Sequence, residues 1–436
     1  MFAYYLELGL RSLRRNPMLT ALMVMAIGFG VAASMITYSV FRAVSGNPIP
    51  DKSAQLFTPQ VDNWGPQQNL KGEPPDALDY VDAMALVQAH EAKRQTLLYA
   101  VQMSVMPGGD RDLPLAANGY AVYGDFFPMF EVPLQYGSGW SGQDDQARAA
   151  VVVISGRLNQ KLFGGANSVG RTVDLNGHEY RVVGVAGHWN PKPRFFDLFS
   201  TQGFEDASDF YIPFTSALSL KMRPAGRNSC RGKLTYATWD DYLQSNCVWI
   251  TPWVELDSAA DVANYRRFLE NYAADQQRAG RFDWAPNVRL RDVAQWLDHQ
   301  QVVPPESRIS LMVALGFFLI CLVNTIGLLL AKFLRRSGEI GVRRALGATR
   351  REIYTQYLIE AGTVGLAGGV LGLLLTAVGV SGVSVLFPPQ IAKLAQLDFS
   401  LVGMTLVVAI IATVLAAFYP AWRAAHVQPA WQLKSN

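Results

Sequence analysis

The run Ser337-Gly-Glu-Ile-Gly-Val-Arg-Arg-Ala-Leu-Gly-Ala-Thr-Arg-Arg-Glu-Ile353 decides how this chain is read, because it is short and charged yet lies between two long apolar segments. Gly338 to Leu346 can form a short helix with Ile340 and Val342 among charged residues, stopped by Gly347 as a left-handed cap. Thr349 and Glu352 then supply a capping box, in which each side chain can bond the other's backbone N–H, and a second helix opens there. The run therefore predicts a helix-turn-helix elbow. Its positive charge alone says little, since short loops on the inner face of a membrane are basic for topological reasons.

Outward from this elbow, residues 18–43, 308–331, 353–386 and 401–420 are each long and apolar enough to cross a hydrocarbon core about 30 Å thick. The first is longer than a signal-peptide core and no convincing small-residue cleavage site follows it, so it reads as a permanent anchor. Residues 44–307 are polar and too many for a loop, which predicts a folded aqueous domain between the first and second spans. The fold class is thus a membrane protein with four transmembrane α-helices and a large α+β extracytoplasmic domain. Arg11, Arg14 and Arg15 precede the first span, seven Lys and Arg occupy 332–352, and Arg423 and Lys434 follow the fourth, whereas the loop 387–400 carries only Lys393 and Asp398. That bias places both termini in the cytoplasm. Residues 1–17, with Phe2, Leu6, Leu10 and Leu13 at helical spacing, read as a cytoplasmic interfacial helix, and 421–436 as a cytoplasmic tail.

Half of the 436 residues are hydrophobic, and the net charge of +3 is explained by the inner-face cations, so no nucleic-acid partner is indicated. Cys230 and Cys247 fall in the external domain, where an oxidising compartment permits a disulfide closing a loop worth roughly 3 kcal/mol; two unpaired thiols are the alternative. Cys321 lies within the second span, and the five histidines are scattered without metal-ligand spacing.

Within the external domain the pattern predicts helix over 75–88, a strand over 97–106, and a strand over 151–154 followed by Ser155 as N-cap. A helix over 156–163 follows, stopped by Gly164 and Gly165. Strands 172–175 and 178–185 flank Asn176-Gly177, the strongest hairpin signal in the chain. A helix over 258–281 opens at Ser258 with Asp261 three residues on, and Val262, Tyr265, Phe268, Leu269 and Tyr272 line its apolar side. Gly165-Ala-Asn-Ser-Val-Gly-Arg-Thr172 approaches the phosphate-loop pattern. It fails because Arg171 replaces the lysine and Thr172 opens a strand instead of a helix.

In the spans, Asn324 and Thr325 are polar at bilayer depth and are expected to face another helix. Gly365, Gly368, Gly369 and Gly372, with Gly362 before them, give overlapping G-x-x-x-G frames for close helix approach, within the bundle or across a dimer.

Leu10-Arg-Ser-Leu-Arg-Arg-Asn-Pro17, Phe126-Phe-Pro-Met-Phe-Glu-Val-Pro-Leu134, Val152-Val-Ile-Ser-Gly-Arg-Leu-Asn-Gln-Lys-Leu-Phe-Gly164, Val169-Gly-Arg-Thr-Val-Asp-Leu-Asn-Gly-His-Glu-Tyr-Arg-Val-Val-Gly-Val185, the elbow, and Tyr419-Pro-Ala-Trp-Arg-Ala-Ala-His-Val-Gln-Pro429 together resemble, in order and spacing, the MacB/FtsX family of ABC transporter permeases. Residues 190–249, including both external cysteines, depart from that pattern. The resemblance implies a bacterial inner-membrane location, a periplasmic MacB-like core domain at 44–307, and a dimer with a second permease, the same or a homologous chain. It also implies a separate cytoplasmic ABC ATPase dimer that binds ATP and Mg, this chain holding no cofactor itself and performing no catalysis. Glu339, Ile340, Gly341, Arg343, Arg344, Ala345, Leu346 and Gly347, within the coupling segment 332–352, are then the expected ATPase contact. Export of a drug, peptide or lipid-linked cargo with a periplasmic adaptor and outer-membrane channel is the implied activity. A regulator of a periplasmic cell-wall hydrolase and a non-transporting sensor or scaffold remain as alternatives.

Overall fold

The computed structural model describes residues 16–69, 71–106, 113–201, 203–232, 236–386 and 398–426; the expected interfacial helix, most of the 387–400 loop and the last ten residues of the tail lie outside these. The chain divides into two units, one formed by Gly46–Val302 and the other by the segments on either side of it.

Pro17 opens α1 (Pro17–Ser45), where its missing N–H costs nothing. Within Gly46–Val302 follow β1 (Leu56–Val61), α2 (Tyr80–Ala89), β2 (Arg94–Met106), β3 (Leu115–Val122), β4 (Leu134–Gly137), β5 (Val151–Ser155), α3 (Gly156–Phe163) and β6 (Thr172–Leu175). Next come β7 (His178–Ala186), β8 (Phe210–Pro213), β9 (Thr251–Glu255), α4 (Ala259–Arg278), β10 (Val288–Asp292) and α5 (Val293–His299), with short helical turns between. The other unit continues with α6 (Pro305–Leu334), α7 (Ser337–Ala345), α8 (Arg350–Leu386) and α9 (Phe399–Ala425).

The strands form one mixed sheet in the order β10-β1-β9-β2-β3-β8-β5-β7-β4, with β6 bridging β2 and β7. Both faces are covered, and the two-residue period of a strand sorts its side chains between them. On β2, Leu97, Tyr99, Val101, Met103 and Val105 enter one core while Leu98 enters the other; on β5, Val152 and Ile154 oppose Val151 and Val153. α4 closes the first core with Tyr265, Leu269 and Ala273 buried. The second is mainly aromatic, with Phe126, Phe130, Phe195, Phe196 and Trp253 meeting largely edge to face.

Local signals place the element ends. Ser155 accepts from the Leu158 N–H at 3.1 Å, and Gly164 ends α3 in the left-handed region. Asn176 and Gly177 adopt φ of +54° and +81°, giving a two-residue hairpin with Leu175 opposite His178. Ser258 and Asp261 form a capping box for α4. Within Gly46–Val302, three expected element bounds move by three residues or more. β2 begins at Arg94 rather than residue 97, because Arg94, Gln95 and Thr96 pair with Glu255, Val254 and Trp253 of β9. α2 begins at Tyr80 rather than residue 75, because Leu78 bridges to Ile250 as extended chain and Asp79 caps the helix through the Asp82 N–H. α4 stops at Arg278, ahead of Gly280 at φ +76°. The phosphate-loop look-alike is a turn: Gly165 and Gly170 have positive φ, Arg171 lies 4.2 Å above the Phe163 ring, and Thr172 opens β6.

Among the described residues, four helices are long and apolar enough to cross a membrane: Pro17–Arg42 within α1, Pro305–Leu334, Arg350–Gly382 within α8, and Phe399–Ala425. The glycines of α8 divide between two neighbours. A Cβ at Gly365 would sit 2.9 Å from Thr413, and one at Gly369 3.0 Å from Ala409, both on α9; at Gly368 it would meet Ile27 at 2.7 Å, and at Gly372 Val31 at 3.2 Å, both on α1. Both close approaches therefore lie within this chain. α1 and α6 are joined by Ser34 Oγ donating to the Ala314 carbonyl at 3.1 Å, a polar contact suited to hydrocarbon surroundings. We expect Gly368→Ile to destabilise the bundle by about 1–3 kcal/mol, read as a lower midpoint in denaturant titration of the micelle-held protein; an unchanged midpoint would contradict this packing.

The sheet-bearing unit also buries acids. Arg281 bridges Asp79, at 2.7 Å, and Asp82, which also accepts from Tyr272 at 2.7 Å. Burial, then the adjacent Asp82, pushes Asp79 up to about 7, and burial pushes Asp145 and Asp197 each up to about 6. A carboxyl raised in the folded state contributes stability that is complete below its unfolded value near pH 4 and lost as pH climbs through its folded value. Asp144 and Asp241, lowered by hydrogen bonds from Ser141 and Thr238, contribute stability that is complete above about pH 4 and lost only as pH falls below it, so they do not alter the comparison between pH 5 and pH 8. The unit should thus melt roughly 5 °C higher at pH 5 than at pH 8, followed by tryptophan fluorescence, since eight of the ten tryptophans lie in Gly46–Val302. Asp79→Asn should flatten that dependence.

Candidate functional site: the elbow between α6 and α8

The turn between α7 and α8 is set by capping on both of its sides. Gly347 takes φ +100°, ending α7, and the Thr349 N–H donates to Glu352 at 2.9 Å while the Glu352 N–H donates to Thr349 Oγ1 at 3.2 Å. The end of α7 and the start of α8 are thereby satisfied locally.

Side chains then fasten the elbow to the spans. Glu360, on α8, accepts an ion pair from Lys332 at 2.8 Å near the end of α6 and another from Arg336 at 3.2 Å in the α6–α7 connection. The Lys332 side chain is fully buried and that of Glu360 is 2% exposed. On α7, Arg343 reaches Glu339 at 2.6 Å one turn back and donates to Gln356 of α8 at 3.1 Å. Ile340, 3% exposed, enters the apolar cluster of Phe333, Ile353, Tyr357, Ala421 and Ala424, where the Phe333 and Tyr357 rings lie 4.2 Å apart. α7 is consequently held as one body with α6, α8 and α9.

The eight expected contact residues do not share a face. Ile340 and Gly341 are buried, so they hold the elbow in place instead of being offered to a partner. Glu339 and Arg343 pair with each other, and Arg344 is half-buried. Ala345, Leu346 and Gly347 are exposed. Val342 was not among those eight; it is 54% exposed beside Leu346 at 83%, and Gly338, Val342, Ala345 and Leu346 recur at three to four residues. That spacing was readable as one helix face, but only the seating of Ile340 shows that this face points outward.

Asn324 is exposed on α6 and lies off the face that packs within this chain. The buried face of α6 runs through Cys321, Thr325 and Leu329, and one residue's step rotates Asn324 about 100° away from Thr325. Thr325 instead bonds the Cys321 carbonyl at 2.8 Å. In the other unit, Cys230 and Cys247 are joined as a disulfide.

Residues 20–272 match the MacB-like periplasmic core domain and residues 311–429 the FtsX-like permease C-terminal region. The macrolide export ATP-binding/permease protein MacB of Pasteurella multocida is 25% identical over 425 residues, which are 94% of this chain and 57% of that protein. The pyoverdine export ATP-binding/permease protein PvdT of Pseudomonas aeruginosa is 27% identical over 316 residues, 72% of this chain and 41% of that one. The chain thus spans about half the length of these curated relatives. Among solved structures, the periplasmic region of MacB from Actinobacillus actinomycetemcomitans overlays 59% of this chain and 96% of its own at a TM-score of 0.37 and 15% identity.

The ion pairs at Glu360 generate a prediction. Glu360→Gln removes the carboxylate facing buried Lys332 and should cost about 3–5 kcal/mol, measured as a lowered unfolding midpoint; a midpoint within error of the parent would remove this residue from the elbow's support.

Proposed function

Since this chain belongs to the MacB/FtsX family of ABC transporter permeases, we propose that it is a mechanotransmitting permease whose elbow receives ATP-driven motion from a cytoplasmic ABC ATPase dimer. The observation that carries this is an exposed apolar face, Val342, Ala345 and Leu346, on a helix locked to the ends of two spans by Glu360 and Arg343. A partner that binds this face cannot displace α7 alone, because the buried ion pairs oblige α6 and α8 to follow as a rigid body. α1 and α6 join directly to the sheet-bearing unit near Ser45 and Val303, so the covalent route for that motion is short. ATP and Mg are bound by the ATPase, and this chain supplies no catalytic group.

In this reading both termini and the elbow are cytoplasmic, the sheet-bearing unit is periplasmic, and a second permease completes the assembly in the inner membrane. The cargo in this reading is a drug, peptide or lipid-linked molecule handed to an adaptor and outer-membrane channel; the names of MacB and PvdT, which state macrolide and pyoverdine export, support export for this chain by analogy.

Tagged protein purified in mild detergent from its own host should bring down an ABC ATPase identifiable by mass spectrometry. Val342→Asp combined with Leu346→Asp should leave membrane insertion unchanged and reduce ATPase recovery at least about tenfold, the effect of losing a small apolar anchor. An ATPase still recovered at the parental level would move the contact elsewhere, and no ATPase on the parent protein would end this reading.

A further inference from the structure

Where α8 leaves the elbow, it and α9 do not close on one another completely. A groove of about 380 Å³ runs between them, walled by Leu358, Ile359, Leu366, Ile410 and Val414, with Gly362 at its middle. Thr413 crowds Gly365 at 2.9 Å, but a Cβ at Gly362 would meet nothing nearer than Val414 Cγ2 at 3.7 Å. The missing side chain thus leaves a trough. From Thr355 to Leu366 the helix rises about 16 Å, close to half of a hydrocarbon core about 30 Å thick. The groove is as long as one leaflet is deep.

Its end nearest the elbow has a different character. Thr325, Thr363, Thr376, Thr405 and Thr413 each donate to a carbonyl three or four residues back on their own helix, at 2.6 to 2.8 Å. Thr355, which lines the groove and is exposed, makes no such bond among the described residues. Arg351 lies one turn before it on the same face of α8, exposed and without an ion pair among the described residues. An apolar trough therefore ends in a free hydroxyl and a free guanidinium.

That combination selects the occupant. A neutral hydrocarbon would leave the cation and the hydroxyl unmatched. A second copy of this chain, seated there across a two-fold axis, would bring its own Arg351 to the same depth, and like charges would face each other. A basic pocket between membrane helices suits an anionic lipid headgroup. We propose that this groove binds an anionic phospholipid, one acyl chain lying along Gly362 and the phosphodiester oxygens accepting from the Arg351 guanidinium and the Thr355 hydroxyl. The site needs neither an ATPase nor a particular orientation across the membrane.

The test uses the whole chain in non-ionic micelles without ATPase or nucleotide, so failure of the coupling reading leaves its result intact. Dioleoylphosphatidylglycerol or dioleoylphosphatidylcholine is titrated in, and bound lipid is counted by native mass spectrometry. A saturable phosphatidylglycerol site is expected, roughly fivefold tighter than for phosphatidylcholine, the effect of one arginine beside a headgroup. Arg351→Gln should abolish that preference. Arg350→Gln, also exposed but about 100° around the helix, should keep it. Gly362→Leu grows into open space and should weaken both lipids by filling the trough. Equal affinity for the two lipids, equal losses from Arg350→Gln and Arg351→Gln, or lipid binding unchanged in Gly362→Leu would each overturn the proposal. So would a parent dimer that Gly362→Leu splits, since the groove would then hold a second copy.

Discussion

Glu360 is the group on which the elbow depends. Its carboxylate lies among helices, removed from water, and such a charge is tolerated only when opposite charges meet it at close range. Lys332 and Arg336 do so from the end of α6 and from the connection to α7. Neither helix can shift against α8 without leaving one of these charges unmatched. The same rule shapes the other unit, where Arg281 holds Asp79 and Asp82 together and so ties the start of α2 to the chain just after α4. In both places the pairing adds little net stability over an apolar core, and what it supplies is a defined arrangement.

Around this fixed elbow, packing decides which surfaces remain free. Ile340 turns inward, and a helix that buries the side carrying its fourth residue must present Val342 and Leu346 on the other. The glycines of α8 act in the same manner on a larger scale: Gly365 and Gly369 admit α9, while Gly368 and Gly372 admit α1. One helix thereby touches two neighbours at close range along its middle.

Much of the local structure was legible because it arises from chemistry between residues three or four apart. Ser155 with Gly164, Asn176 with Gly177, Ser258 with Asp261, and Thr349 with Glu352 each satisfy backbone groups within one turn, and each marks an element end where the structure has one. Where a distant partner intervened, reading failed. Residues 75–79 look helical alone but are drawn out by the bridge from Leu78 to Ile250. Of the candidate contact, Ile340 and Gly341 are buried within this chain, which near-neighbour reading could not show, since an apolar side chain on a short helix reads alike whether it faces a partner or its own chain.

The amino-acid sequence by itself determined the number of spans, the capped elbow between two of them, the two-residue hairpin and the family, because length, apolar runs and near-neighbour capping depend on few residues at a time. Only the tertiary structure decided that α8 packs its glycines on α1 and α9, that Val342 rather than Ile340 is offered outward, and that α8 and α9 part over Gly362 to leave a groove. Those outcomes turn on which side of a helix or strand is buried by residues far along the chain. A rotation of about 100° on a helix, or one residue on a strand, exchanges inside for outside.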